Sequence, residues 1–573
     1  MRQGLSAIAL RLQQFTRSRP ERVTTTGAED TPDEQFLCAL RCLPVGSRAA
    51  TDLHVPLAPR DGAAMFIVPN VRLKSARSRL LLSLAGGILM GLTVAPVSAW
   101  WLAWIALVPL WLAATGSNSV RAAFLCGGAW GFGFYATMLS WLLGMHPMTW
   151  LGVSWQTSLA IALACWPAAA LCLAVLPAVW AGGLCWVARS MTGSATVVVG
   201  AALWCALETL WSWGPVYAGP LAFTQSPHNA IGLHAMQLSG PVTVSAAIVA
   251  VNGLLAIAIG KRSRGAMAAS LAVLVGVHAL GGVLYARSPA DDPAAALNVG
   301  IVQGNIPNEI KLTSVGLRKA LTVYTEGYLE LAAAGADAVL TPEGALPMYQ
   351  NRLLGSALGQ TIELAGIPAW VGGFYKLDRD RYTNALYALD GSGEFGDRYD
   401  KVHRVPFGEY VPLESILGGI VQRLSPLDEH QLAGDRDQVF STSFGMAIVG
   451  ICYDSVYAEH FQRQAARGGE FALVSSNDDH YGPTMPAQHH AHDVLHAIAL
   501  DRWVARAANT GHSGAIDPHG RTVWLSQLDV YVARAETIYR RQTLTPYARW
   551  GNWLTPLLLL VGAIAWGQSR RKS

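Results

Sequence analysis

The stretch "GMAIVGICYD", Gly445 to Asp454, is an apolar run of strand length that ends on a cysteine. That cysteine, Cys452, is the sole sulfhydryl between Leu297 and roughly Pro546. On the N-terminal side, strand-like runs alternate with a helical one: "LNVGIVQGN" (297–305), "GLRKALTVYTEGYLELAAAG" (316–335), "ADAVLTPEG" (336–344), "IPAWVGGFY" (367–375) and "TNALYALD" (383–390). This alternation predicts an α/β layered domain. Three strand ends carry reactive groups: Glu343 in "VLTPEGALP", Lys401 in "YDKVHRVPFGEYVP" and Cys452 in "GICYDSVY". Strand ends in α/β sheets hold such groups rigidly beside open loops, which is where ligands and chemistry gather.

The rest of the chain is of another kind. Of 573 residues, 52% are hydrophobic and 14% charged, and the mean hydropathy of +0.29 is that of a membrane protein. Runs near 20 apolar residues start near Leu80, Trp100, Ala122, Ser158, Thr196, Val242 and Met267, and an eighth covers about Trp553 to Trp566. The turns after the second, fourth and sixth hold Arg121, Arg189 and "GKRSRG" (Lys261, Arg262, Arg264), whereas those after the first, third and fifth hold no Lys or Arg. Positive residues stay on the cytoplasmic side, so the α/β region is expected on the outer face. The net charge of +4, with no basic stripe interleaved with aromatics, excludes nucleic acid as a partner.

Cys126, Cys165, Cys172, Cys185 and Cys205 lie in apolar segments as small packing residues, and Cys38 with Cys42 lacks a second ligand pair for zinc. Cys452, alone in an oxidising compartment, is no bridge partner. It is either a buried thiol or a nucleophile. Residues 1–75 are polar and Arg-rich without a cleavage pattern, and read as a disordered cytoplasmic extension in which Met65 is an alternative start.

Taken singly, Glu343 is open to a role as a solvated carboxylate, Lys401 as a surface charge and Cys452 as a packing thiol. Together they fit acyl transfer through a thioester, which needs a thiolate, a base to make it and donors for the tetrahedral oxyanion. The motifs "TPEGALP", "YDKVHRVPFGEYVP" and "GICYDSVY", in that order between seven spans and a last one, resemble the apolipoprotein N-acyltransferases, the membrane-embedded branch of the nitrilase superfamily. "IVQGNIP" (301–307), "SSND" (475–478) and "RAANTGHSG" (506–514) add to the resemblance, which runs from about Ser78 onward.

The resemblance implies an eight-span helical bundle carrying an exported nitrilase-like αββα sandwich. The corresponding division is 1–75 extension, 76–290 seven-span bundle, 291–546 periplasmic catalytic domain, and 547–573 eighth span and cytoplasmic tail, in the cell inner membrane. It also implies a ping-pong reaction needing no cofactor or metal. Cys452 takes the sn-1 acyl chain of a membrane phospholipid as a thioester, then passes it to the N-terminal amine of a diacylglyceryl-cysteine lipoprotein. Glu343 would be the base, while Lys401 and the backbone N–H of Tyr453 hold the oxyanion; a neighbouring ammonium also lowers a thiol pKa. Glu409 and Asn384 match further family positions near the cysteine, and both are also open to a purely structural role.

Three departures bear on substrate choice: Asp454 where Glu is usual, Leu312 where Trp is usual, and "NDDHYG" (477–482) in place of "NDAWFG". The loops "GALPMY", "YVPLESILGGIVQRL", "GMHPMTWLGVSW" and "WSWGPVYAGPLAF" are apolar or aromatic enough to form a mouth open to the bilayer, or to pack between the two parts. Glu208, inside the fifth span, is functional or holds the bundle together. In "AQHHAHDVLH", His492 and His496 share a helix face as zinc ligands can, although no HExxH arrangement is present. Two other functions compete with lipoprotein N-acylation: a membrane-tethered amidase in which water resolves the thioester, and a silent scaffold related to the transferases.

Overall fold

The computed structural model describes residues 75–191, 193–406, 408–410 and 430–572. The expected extension at 1–75 falls, but for Ser75, outside the described residues, as does "YVPLESILGGIVQRL" from its second residue on.

The N-terminal part is helical: α1 (Ala76–Gly91), α2 (Val108–Thr115), α3 (Val120–Met138), α4 (Trp155–Val187), α5 (Ser194–Ser212), α6 (Pro241–Lys261) and α7 (Arg264–Arg287). Among the described residues, α4, α5, α6 and α7 are long and apolar enough to cross a membrane. The other four expected crossings are helical but depart from a full span. Helix α1 has 16 residues, the segment from Trp100 is broken into short turns before α2, α3 is diluted by glycine, and the C-terminal helix runs on into "SRRK". The glycines serve close packing: a Cβ on Gly127 would lie 2.3 Å from the Pro177 carbonyl, so α3 and α4 meet backbone to backbone.

The chain then builds two sheets. Strands β1 (Ala296–Gln303), β2 (Ala338–Leu340), β3 (Ala369–Lys376), β4 (Arg381–Leu389), β5 (Phe395–Asp400) and β6 (His430–Gln431) form the first, with the last strand of the domain on its far edge. Strands β7 (Phe440–Thr442), β8 (Gly445–Ile451), β9 (Phe471–Ser476), β10 (Val504–Ala508), β11 (Gly514–Ile516) and β12 (Thr522–Leu525) form the second. Strand β13 (Val532–Tyr539) returns to pair antiparallel with β1. In the first sheet β1–β2–β3 are parallel, and in the second β8–β9–β10 are parallel.

Alternation along β8 decides what each face meets. Ala447, Val449 and Ile451 pack with Val299, Ile301 and Leu340 of the first sheet, and with Leu473 and Ala505. Ile448 turns the other way, toward Phe461 of helix Ala458–Ala466 and the buried apolar cluster shared with the bundle. On the far side of the first sheet, Val302, Val339 and Val371 pack on helices α8 (Ser314–Ala333) and α9 (Ala357–Ala365) through Tyr324, Tyr328 and Ile362.

Helix α10 (Ala458–Ala466) and the longer α11 (Thr484–Leu500) join the second sheet to the bundle. The Gln488 amide donates to the carbonyls of Ala95 and Met138, Gln237 donates to the Ile498 carbonyl at 3.1 Å, and Ser226 donates to that of Ala491 at 2.6 Å. The chain closes with α12 (Leu554–Lys572), tied to α5 by Asn552 donating to Thr209 at 2.9 Å.

Candidate active site

The C-terminal ends of parallel strands face one another at the edge of the two sheets. Glu343 follows β2, Cys452 follows β8, and Asn477 with Asp478 follows β9. The turn carrying Glu343 lies so close to β3 that a Cβ on Gly372 would stand 2.0 Å from the Pro342 carbonyl. Glycine is what admits that approach.

Lys401, just beyond β5, is fully buried and donates to Glu343 Oε1 at 2.9 Å and to Glu409 Oε1 at 2.6 Å. Asn384 in β4 donates its amide to the same Glu343 oxygen at 2.7 Å, and the Asn477 backbone N–H donates to Oε2 at 3.0 Å. Glu409 is held in turn by the Val405 N–H at 2.9 Å. The structure therefore draws Glu343, Lys401, Glu409 and Asn384 into one cluster. Burial alone would strip the Lys401 proton, but Glu343 and then Glu409 outweigh it and keep the ammonium pKa well above its ordinary value. Burial, followed by repulsion from Glu343, raises the Glu409 carboxyl against the pull of Lys401.

Cys452 is 4% exposed and its backbone has φ +51°, a left-handed conformation that costs a non-glycine residue and marks a sharp turn from strand into a 3-10 turn. Burial first, and then Glu343, pushes its thiol well above the usual range, with Lys401 opposing. The neighbouring ammonium lowers this thiol as expected, but the dry surroundings and the carboxylates outweigh it, so the resting group is the thiol.

Asp454, one of the departures in this motif, is fully buried. Its shorter side chain reaches partners on every side: Oδ1 accepts the backbone N–H of His403 at 2.7 Å and faces His403 Nδ1 at 3.0 Å, while Oδ2 accepts from Tyr399 at 2.8 Å and from the Ile451 N–H at 3.1 Å. Although burial would raise its pKa, the His403 bond and the charges of His460 and His403 hold it well below the ordinary carboxylate value. Asp454 braces the Cys452 turn from behind. Tyr453 is clamped as firmly: its hydroxyl accepts the Tyr217 N–H at 3.0 Å and donates to the Tyr217 carbonyl at 2.7 Å.

Sequence reasoning passed over Lys311 and gave Asp478, His489 and Glu208 no task at this site. Lys311, visible only as the residue before Leu312, is buried and donates to the Glu343 carbonyl at 3.0 Å; burial pushes its amine down to about 8 against Glu343, Asp479 and Cys452. A carboxylate oxygen of Asp478, a ring nitrogen of His489 and the Cys452 sulfur lie within 4.8 Å of one another. His489 Nδ1 meets Asp478 Oδ1 at 2.8 Å, and Arg506 bridges Asp478 at 3.2 Å and Asp493 at 2.8 Å. The guanidinium occupies the space beside those carboxylates, a poor setting for a second cation. Loop 213–220, which carries Tyr217, is anchored by Glu208, whose carboxylate accepts from Leu221 N–H at 2.7 Å, Ser245 at 2.9 Å and Trp204 at 3.2 Å.

Residues 86–254 match the family model of the apolipoprotein N-acyltransferase N-terminal domain, and residues 298–530 match that of carbon-nitrogen hydrolase. The apolipoprotein N-acyltransferase of Nostoc sp. is 50% identical over 83% of this chain and 97% of its own. The chain belongs to the apolipoprotein N-acyltransferase family. The enzyme of that name from Synechocystis sp. is 44% identical over 83% of this chain and 98% of its own. Among solved structures, an amidase from Nesterenkonia aligns at 15% identity and TM-score 0.33, over 46% of this chain and 95% of its own.

One feature distinguishes this N-acyltransferase family member from the pattern expected of it. In "NDDHYG", Asp479 accepts the Asn308 N–H at 2.7 Å, the Asn308 amide lies 2.9 Å from His480, and His480 stacks at 5.9 Å on Trp150. Tyr481 sits edge-on to Trp141. The altered motif thus ties the Lys311 segment to loop 140–151 of the bundle. The histidines of α11 are packing groups: His492 stacks on Phe223 at 3.9 Å, and His496 on Phe461 at 3.8 Å while bonding the Ser455 carbonyl. Each ring of that helix-face pair is committed to a different aromatic.

Proposed function

We propose that this protein transfers an acyl chain from the sn-1 position of a membrane phospholipid, through a Cys452 thioester, to the N-terminal amine of diacylglyceryl-cysteine lipoproteins. Family membership supports lipoprotein N-acylation and, with it, a lipoprotein acceptor and phospholipid donor in a membrane. The observation that carries the residue assignment is the buried Lys401–Glu343 pair at 2.9 Å acting on the raised Cys452 thiol.

In the first half-reaction Glu343 accepts the thiol proton, and the thiolate forms a C–S bond with the ester carbonyl carbon. Lys401 and the Tyr453 backbone N–H donate to the oxyanion. Collapse breaks the C–O bond, Glu343 returns the proton to the leaving oxygen, and lysophospholipid departs. In the second, the α-amine attacks the thioester, Glu343 takes a proton from its nitrogen, the C–N bond forms and the C–S bond breaks. The proton then returns to sulfur. Glu409 and Asn384 position Lys401 and Glu343, while Asp454 and Tyr453 set the nucleophile turn.

The same reading places eight helical crossings around an αββα sandwich, with the divisions 76–290, 291–546 and 547–573. The sandwich lies on the periplasmic side of the inner membrane and the Arg-rich turns lie in the cytoplasm. The test is complementation of a strain depleted of its own N-acyltransferase, with mass spectrometry of a lipoprotein N-terminus. Triacylated product is expected; diacylated product despite expressed protein contradicts the reading. Hydrolysis of the donor to free fatty acid in its place would mark the amidase alternative.

A further inference from the structure

The end of the bundle opposite the catalytic part holds a second feature. Helices α6 and α7 meet there at Lys261–Arg264, α4 ends there, and α5 starts there, whereas α7 leads from there to the sheets at its other end. Between the helices lies a cavity of about 590 Å³, a volume in the range of small-molecule sites. It is lined by apolar side chains and by Gly253 and Gly260, with Arg79 and Lys261 contributing the two cations. Neither cation has an ion-pair partner among the described residues.

Two cations beside an apolar volume call for an anionic group attached to hydrocarbon.

We propose that this cavity binds one anionic phospholipid from the leaflet opposite the active site, with Arg79 and Lys261 on the phosphate. The acyl chains lie along the glycine-lined wall. Basic pockets between spans on that side commonly hold anionic head groups. This lipid is not the acyl donor, since it lies at the far end of the bundle from Cys452, and the site stands whether or not the active-site assignment holds.

The test uses the full-length protein in detergent, titrated with short-chain phosphatidylglycerol and counted by native mass spectrometry. One tight equivalent is expected. Arg79→Gln and Lys261→Gln should each weaken it about fivefold, and the pair roughly 25-fold, the scale of single basic residues at an anionic surface. Arg121→Gln, at the same end but outside the cavity, should leave it unchanged, and all three single variants should retain N-acylation. Equal loss from Arg121→Gln would reduce the effect to general surface attraction and overturn the site. Equal binding of phosphatidylcholine would mean boundary lipid only, and equal binding of inorganic phosphate a bare anion site; either overturns it as well.

Discussion

Two buried polar clusters lie on either side of the second sheet's strand ends, and they meet the cost of burial in opposite ways. Around Lys401, the buried ammonium is met by two carboxylates, Glu343 and Glu409, at 2.9 and 2.6 Å. Along α11, His490, His492 and His496 are kept neutral: burial pushes His496 down to about 4 and His490 to about 3, and stacking on Phe223 and Phe461 replaces pairing for His492 and His496. Burial forces a titratable group either to find its counter-charge or to give up its own. The paired cluster can do proton and oxyanion chemistry; the neutral one can only join two parts of a molecule.

The sharpest way to break this contrast is Lys401→Met. It leaves two carboxylates buried side by side, and we expect activity to fall about 10²–10³-fold, as for a lost oxyanion donor. Stability should fall by about 3–5 kcal/mol, the cost of leaving a buried charge unpaired. Thermal unfolding and acyl transfer measured on the same preparation check both; unchanged stability would mean that the pair is not the buried unit described.

Tyr453→Phe tests the link between the bundle and the nucleophile turn. It removes both bonds to the Tyr217 backbone, and about tenfold loss of turnover is expected, with protein yield preserved, from a net loss of about 1–1.5 kcal/mol. Full turnover would show that the clamp does not hold the turn.

The neutral cluster makes the most specific claim. Because the folded pKa of His496 lies at about 4, below the ordinary 6.5, its contribution is complete above pH 6.5 and is lost as the pH falls toward 4. That single group is worth about 3 kcal/mol across the window. In His496→Gln the loss of thermal stability between pH 6.5 and 4 should be shallower than in the parent; an unchanged slope would assign the acid sensitivity elsewhere.

What could be read in the chain follows the same division. Glu343, Lys401 and Cys452 were legible because each sits in a short motif at a strand end, and the strands that carry them show in the apolar runs. Asp454 could be flagged as a departure, but its partners could not be named. Its partners His403 and Tyr399 come from another segment, and only the fold shows that a shorter carboxylate reaches them. Lys311 carried no signal, and Asp478 and His489, although inside quoted motifs, gave no sign of meeting beside Cys452, because they lie on separate elements. The eight apolar runs overstated regularity, since hydropathy does not register the break before α2 or the glycine dilution of α3. Glu208 could be flagged as an intramembrane carboxylate, but its task, anchoring the loop that grips Tyr453, depends on Leu221 and Ser245 folding back onto it.

The central claim is that Cys452 carries the acyl chain and that Glu343 takes its proton. The direct measurement is the intact mass of the protein after incubation with phospholipid and no acceptor. A gain of one acyl chain on Cys452 is expected, discharged on adding a diacylglyceryl-cysteine peptide, absent in Cys452→Ser and slowed about 10²–10⁴-fold in Glu343→Gln, the range for loss of a general base. An acyl chain that still forms in Cys452→Ser, or one that forms at the parental rate in Glu343→Gln, would contradict the account.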